Sequence, residues 1–140
     1  MNRITREQWD MVFTHTSEAV IFVNENDLIE SMNPAGEILT GYPLSEFRGK
    51  SVYEVFKVEG ISDFSLKDFV SKDPVEIKEK SYVELLLVQR SGEKVWTSCS
   101  FTNIQSEDSS LHVIFARNID QFKKVEQMRS DFISIASHEL

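Results

Sequence analysis

Hydrophobic positions along the chain change their spacing several times, and each change marks an element. Trp9, Val12, Phe13 and Thr16 fall on one helical face behind Thr5-Arg6-Glu7-Gln8, which has capping-box spacing, so a helix is predicted over 5–16. Residues 19–24 form a short β-rich run, 24–27 have turn chemistry, and 28–32 return as a second strand. Asn33-Pro34 then opens a short helix, with Asn33 suited to the cap and Pro34 to the first helical position, and Gly41 supplies its stop. Residues 42–57 predict one or two short helical turns, 58–65 a loop and 66–72 another short helix. Two strands, 81–89 and 94–104, flank the turn Arg90–Glu93. In the second of them Val95, Thr97, Cys99 and Phe101 share one face, and Trp96, Ser98, Ser100 and Thr102 the other. A polar turn at 106–110 leads to a last strand, 111–117, with Leu111, Val113 and Phe115 on one side.

From Asp120 onward there is no Gly or Pro, and apolar residues recur at 122, 125, 128, 132 and 135, the spacing of a coiled-coil seam about two heptads long. No C-terminal helix signal precedes Leu140, so the pattern predicts a helix that runs on in a larger natural protein. The order of elements reads as α+β with an antiparallel sheet.

Composition narrows the function classes. Of 140 residues, 41% are hydrophobic and ten are Phe, enough for a real core, which excludes disorder. The net charge of -8 argues against phosphate-backbone binding, so no nucleic-acid partner is expected. No apolar run reaches the roughly 18 residues that span a bilayer, and residues 1–10 lack a signal-peptide core. The single Cys99 excludes an internal disulfide and a Cys-cluster metal site. The expectation is one acidic, soluble, cytoplasmic domain with no membrane contact of its own.

Residues 19–42, a hairpin running into an Asn-initiated helix that ends at Gly41-Tyr42, resemble the opening of a PAS domain. The turn Gly92-Glu93 ahead of Trp96, and the last strand running into Arg117–Asp120, are similar to that family's back half. The resemblance implies a PAS fold: an antiparallel five-stranded sheet, short helices on one face and a long C-terminal exit helix. Residues 129–140 resemble the H-box of sensor histidine kinases, where a Phe precedes Ser-His-Glu-Leu on a dimerisation helix. That likeness implies a PAS sensor domain with its N-terminal helix over 1–118, and a linker helix with a truncated H-box over 119–140. It assigns His138 as phosphoacceptor, ATP and Mg²⁺ to a kinase domain of the parent protein only, and a response regulator as the parent's partner. The parent is then a protein-histidine kinase, free or membrane-anchored, while this chain alone is not an enzyme. At the junction the sequence departs from the family: Asn118-Ile119-Asp120 carries its carboxylate two positions later than the usual Asp.

Helical geometry supports an outward His138. At about 100° per residue it falls roughly 150° from the centre of the apolar arc of the H-box, free to meet another domain. Glu139 is placed to accept a proton or orient the ring; the plain alternative is an exposed His on a charged face. The exit helix carries three cations and four carboxylates, a solvated face with an apolar seam, so a homodimer through 119–140 is expected.

No cofactor is predicted. The segment where haem-binding PAS domains place their His holds none, and His112 is expected to face outward. A metal site from His15 and His112 has no supporting spacing. Cys99 lies mid-strand rather than on a helix, so cysteinyl-flavin chemistry is not expected, and a small buried thiol is. Phe22, Ile38, Leu39, Phe56, Phe69, Leu85, Phe101 and Phe115 are candidates to line an interior pocket, with plain core filling the preferred alternative. Two functions follow: a sensor and signal-relay module of a two-component histidine kinase, or a ligand-free PAS interaction and dimerisation module. An enzyme with its own pocket chemistry lacks a carboxylate pair, a nucleophile motif or a phosphate loop.

Overall fold

The computed structural model describes residues 3–69, 82–105 and 107–139. Helix α1 (Arg6–His15) is followed by β1 (Ala19–Asn24), β2 (Ile29–Met32), α2 (Pro34–Thr40) and α3 (Leu44–Phe47). Two single 3₁₀ turns, Val52–Glu54 and Leu66–Asp68, flank β3 (Lys57–Val58). Strands β4 (Val83–Val88), β5 (Lys94–Gln105) and β6 (Ser110–Asn118) lead into α4 (Asp120–Glu139). The sheet has six strands in the order β2-β1-β6-β5-β4-β3, with neighbours antiparallel. The expected five-stranded sheet therefore gains a strand: Lys57 and Val58 pair with Val88 and Leu87, a piece too short to show any alternation.

The local signals work as the residue types suggest. Thr5 Oγ1 accepts the Gln8 N–H at 3.1 Å while Gln8 Oε1 accepts the Thr5 N–H at 2.8 Å, closing the capping box. Asn33 caps α2 through the Gly36 N–H, and Gly41 ends it with φ of 83°, a conformation that glycine adopts without strain. The predicted strand 81–89 is shorter as β4, and Ser81 lies outside the described residues, as do 70–72 of the expected helix 66–72. The Tyr53 hydroxyl pins the Leu66 turn, donating to Asp27 Oδ2 at 2.9 Å and accepting the Leu66 N–H at 3.1 Å. Burial raises this phenol above its ordinary pKa.

The inner face of the sheet packs against α2 and the 3₁₀ turns. Ile21, Val23, Leu85, Leu87, Val95, Cys99, Phe101 and Ile114 meet Leu39, Val52, Val55, Phe56 and Leu66 there. Strand β6 reverses the expected phase. Val113 and Phe115 pair with Phe22 and Val20 on the outer face, whereas His112, Ile114 and Ala116 face inward beside Val23, Ile21 and Ala19. His112 thus does not face outward as expected: it is half-buried, and its Nδ1 is buried with no hydrogen-bond partner. The reason is that β6 is central. Val113 and Ile114, on opposite faces, are both buried, so alternation no longer marks the core side. No helix among the described residues is long and apolar enough to cross a membrane.

Candidate functional site

The interior holds five of the eight residues expected to line a pocket. Leu39, Phe56, Leu85 and Phe101 are buried in the core, and Phe69 packs against it. The rings of Phe56, Phe69 and Phe101 close around Phe64, with centroids 5.9, 5.2 and 6.2 Å from it. Phe69 and Phe101 are themselves 5.5 Å apart, so this space between sheet and helices is occupied by aromatic side chains. Phe64 gave no signal in the sequence because it sits in a polar loop. The other three candidates do not line this interior. Phe22 packs its ring 5.6 Å from Phe13 of α1, Phe115 lies on the outer face opposite Val20, and Ile38 is 79% exposed. The helix α2 is only two turns long, and its inward face is used by Gly36, Leu39 and Thr40, which leaves Ile38 pointing away.

Cys99 is a fully buried thiol in contact with Thr97 Oγ1 at 3.1 Å. Burial pushes its pKa up to about 11 from an ordinary 9.0. Below pH 9 the thiol is neutral in both folded and unfolded chains, and stability is unaffected. As pH rises from about 9 the unfolded chain ionises first, so stability falls until the folded thiol titrates. The urea midpoint should therefore drop more steeply between pH 9 and 10.5 in the wild type than in Cys99→Ala; parallel curves would show that Cys99 does not contribute. His15 ends α1 exposed while His112 lies on the inner sheet face, and among the described residues no three His, Cys, Asp or Glu side chains are grouped to hold a metal ion.

The junction between sheet and exit helix is tightly built. The Asp120 N–H donates to Asn118 Oδ1 at 2.9 Å, and the Ile119 N–H donates to the Trp96 carbonyl at 2.8 Å. Asp120 Oδ1 in turn accepts the Trp96 N–H at 2.8 Å, so the displaced carboxylate of this chain ties α4 to β5. One turn on, Lys123 forms ion pairs with Glu84 of β4 and with Glu126, and its ammonium lies 5.1 Å from the Trp96 ring centroid. The hydrogen bond to Glu84 is the main cause of an upward shift in the Lys123 pKa. Glu84 was not foreseen as part of the junction, because a pair 39 positions apart in sequence leaves no local pattern.

Lys123, Gln127, Ser130 and Ile133 of α4 line an open groove against Lys94 and Trp96 of β5. The seam Phe122, Val125, Met128, Phe132 and Ile135 is exposed along its length, with Phe132 at 73%. By helical period it lies on the far side of the helix from that groove. His138 is exposed near the end of α4. The Glu139 side chain and Leu140 lie outside what is described.

A family model described as PAS domain matches residues 17–121. Among solved structures, a PAS domain from Colwellia psychrerythraea superposes with a TM-score of 0.64 at 21% identity, covering 82% of this chain and 97% of that one. The PAS domain of a two-component sensor histidine kinase gives 0.61 at 13% identity, covering 80% and 94%. The PAS domain of nitrogen regulation protein NR(II) from Vibrio parahaemolyticus gives 0.58 at 14% identity, covering 78% and 95%. No curated protein matches the sequence significantly.

Proposed function

Because the chain belongs to the PAS domain family, we propose that it is the sensor and relay module of a two-component sensor histidine kinase, with His138 the phosphoacceptor on a helix paired with that of a second copy. The observation that carries this reading is the junction. Asn118, Asp120 and Trp96 bind α4 to the sheet with no loop between them, so a displacement of β5 or β6 moves the helix as a body. At the other end of the same helix the exposed His138 has an imidazole free to attack a γ-phosphate held by another domain. The parent's kinase domain would supply ATP and Mg²⁺, and a response regulator would take the phosphoryl group. The chain alone transfers nothing.

The test uses the full-length protein. Labelling by radioactive ATP and Mg²⁺ is expected at His138 and lost in His138→Ala. Two glycines inserted between Ile119 and Asp120 remove the rigid connection, and labelling should then stay at one level whatever the stimulus. Labelling that survives His138→Ala overturns the phosphoacceptor, and an insertion variant that still responds overturns the relay. A second reading, a ligand-free interaction module, is favoured by the ring cluster of Phe56, Phe64, Phe69 and Phe101 that fills the interior. It expects no phosphate transfer in any parent protein.

A further inference from the structure

We infer that an open cleft at the exit end of the sheet binds a small uncharged molecule with an apolar body and a hydrogen-bond-accepting group. The cleft measures about 390 Å³, inside the roughly 300–1,000 Å³ of ligand pockets. It exists because Ala19 and Ala116 oppose each other across the β1–β6 ladder, and neither fills the space below α2. Ala35 adds a third small side chain to the wall, and the exposed Ile38 stands at the rim. In a chain of which 27% is charged, no charged side chain lines the cleft. An ion entering it would give up water without finding a countercharge, whereas a neutral apolar body would not. The polar lining consists of neutral groups. The Thr14 and Ser17 hydroxyls make no hydrogen bond among the described residues, and Asn118 Nδ2 is likewise unused while its Oδ1 holds the Asp120 N–H. These groups can donate to a carbonyl or hydroxyl oxygen. The cleft is separate from the ring-filled interior, and its chemistry does not depend on whether α4 relays a signal.

The test is NMR titration of the isotope-labelled 140-residue chain with indole, phenol and cyclohexanol, and with indole-3-acetate as a charged match. At least one neutral probe should give saturable shifts at the amides of Thr14, Ser17, Ala35 and Ala116 and at the Asn118 side-chain NH₂, and indole-3-acetate should give none there. Ala35→Leu fills the cleft and should weaken binding at least about tenfold. Should that variant disturb the fold, Ile38→Ser, a change at an exposed position, should weaken binding about threefold or more by removing the apolar side chain at the rim. The proposal is overturned by no saturable shift with any neutral probe, by an equal response to indole-3-acetate, or by shifts at Phe56 and Phe101 instead.

Discussion

Replacing Asn33 with alanine is expected to lower the unfolding free energy by about 3 kcal/mol, a fall of about 10 °C in Tm. The side chain is fully buried and makes four hydrogen bonds. Its Oδ1 accepts the Val20 N–H at 2.9 Å and the Gly36 N–H at 3.0 Å. Its Nδ2 donates to the Phe13 carbonyl at 3.1 Å and the Glu18 carbonyl at 2.9 Å. Alanine would leave the buried Val20 N–H of β1 without its acceptor and the partly buried Phe13 and Glu18 carbonyls without this donor, and it would remove a helix cap that alone is worth about 1 kcal/mol. Asn33→Asp keeps both acceptor bonds but loses both donors and buries a charge, so it should be no better. Asn26→Ala, at an exposed turn position, serves as the control and should change stability by less than about 0.5 kcal/mol. Urea denaturation showing a loss below about 1 kcal/mol for Asn33→Ala would mean that water replaces the side chain's bonds.

That Asn33 caps a helix was legible because Asn-Pro followed by apolar residues and a glycine is a local pattern. That it also holds α1 and β1 was not, since the bonds to Phe13, Glu18 and Val20 span 13 to 20 positions. The same division runs through the fold. The elements whose partners lie within a turn or two, such as the capping box at Thr5 and the hairpin at Gly92, could be read from residue types. Strand β3 could not, because two residues carry no period. On β6 the alternation of large residues pointed to Leu111, Val113 and Phe115 as the inward set, but a strand covered on both faces has no polar side to fix the phase. The same error moved His112 outward and put Phe115 in the candidate pocket, and β1, also covered on both faces, misplaced Phe22 in the same way. Hydrophobicity marked those residues as buried or partly buried without saying on which side of the sheet. At the junction the carboxylate stands two positions later than the family's usual Asp, where sequence spacing alone gives it no evident partner. The Asp120–Trp96 bond shows that a carboxylate two positions along can still reach β5, by way of the backbone.

Phe132→Glu combined with Ile135→Glu is expected to abolish self-association of the chain while leaving its PAS fold unchanged. The seam of α4 faces away from the domain to which the helix is joined, and Phe132 and Ile135 are 73% and 62% exposed. A single copy therefore leaves a continuous apolar stripe in water, which a second parallel helix would cover. About two heptads bury little area, so the dimer of the isolated chain should be weak, forming only in the upper micromolar range, and a carboxylate at each of two seam positions should weaken it at least about a hundredfold. Sedimentation equilibrium reads this directly: the wild type should move towards twice the monomer mass as concentration rises, and the double variant should stay at monomer mass. Because neither side chain touches the core, the unfolding midpoint should shift by less than the equivalent of about 0.5 kcal/mol, which separates lost pairing from lost folding. Helix α1 offers a competing surface, since Trp9 and Val12 are each 60% exposed. Association that survives the α4 double variant but is lost in Trp9→Glu would place the dimer on α1. Each α4 would then stand without a parallel partner, and the relay proposed above would have to act within one chain.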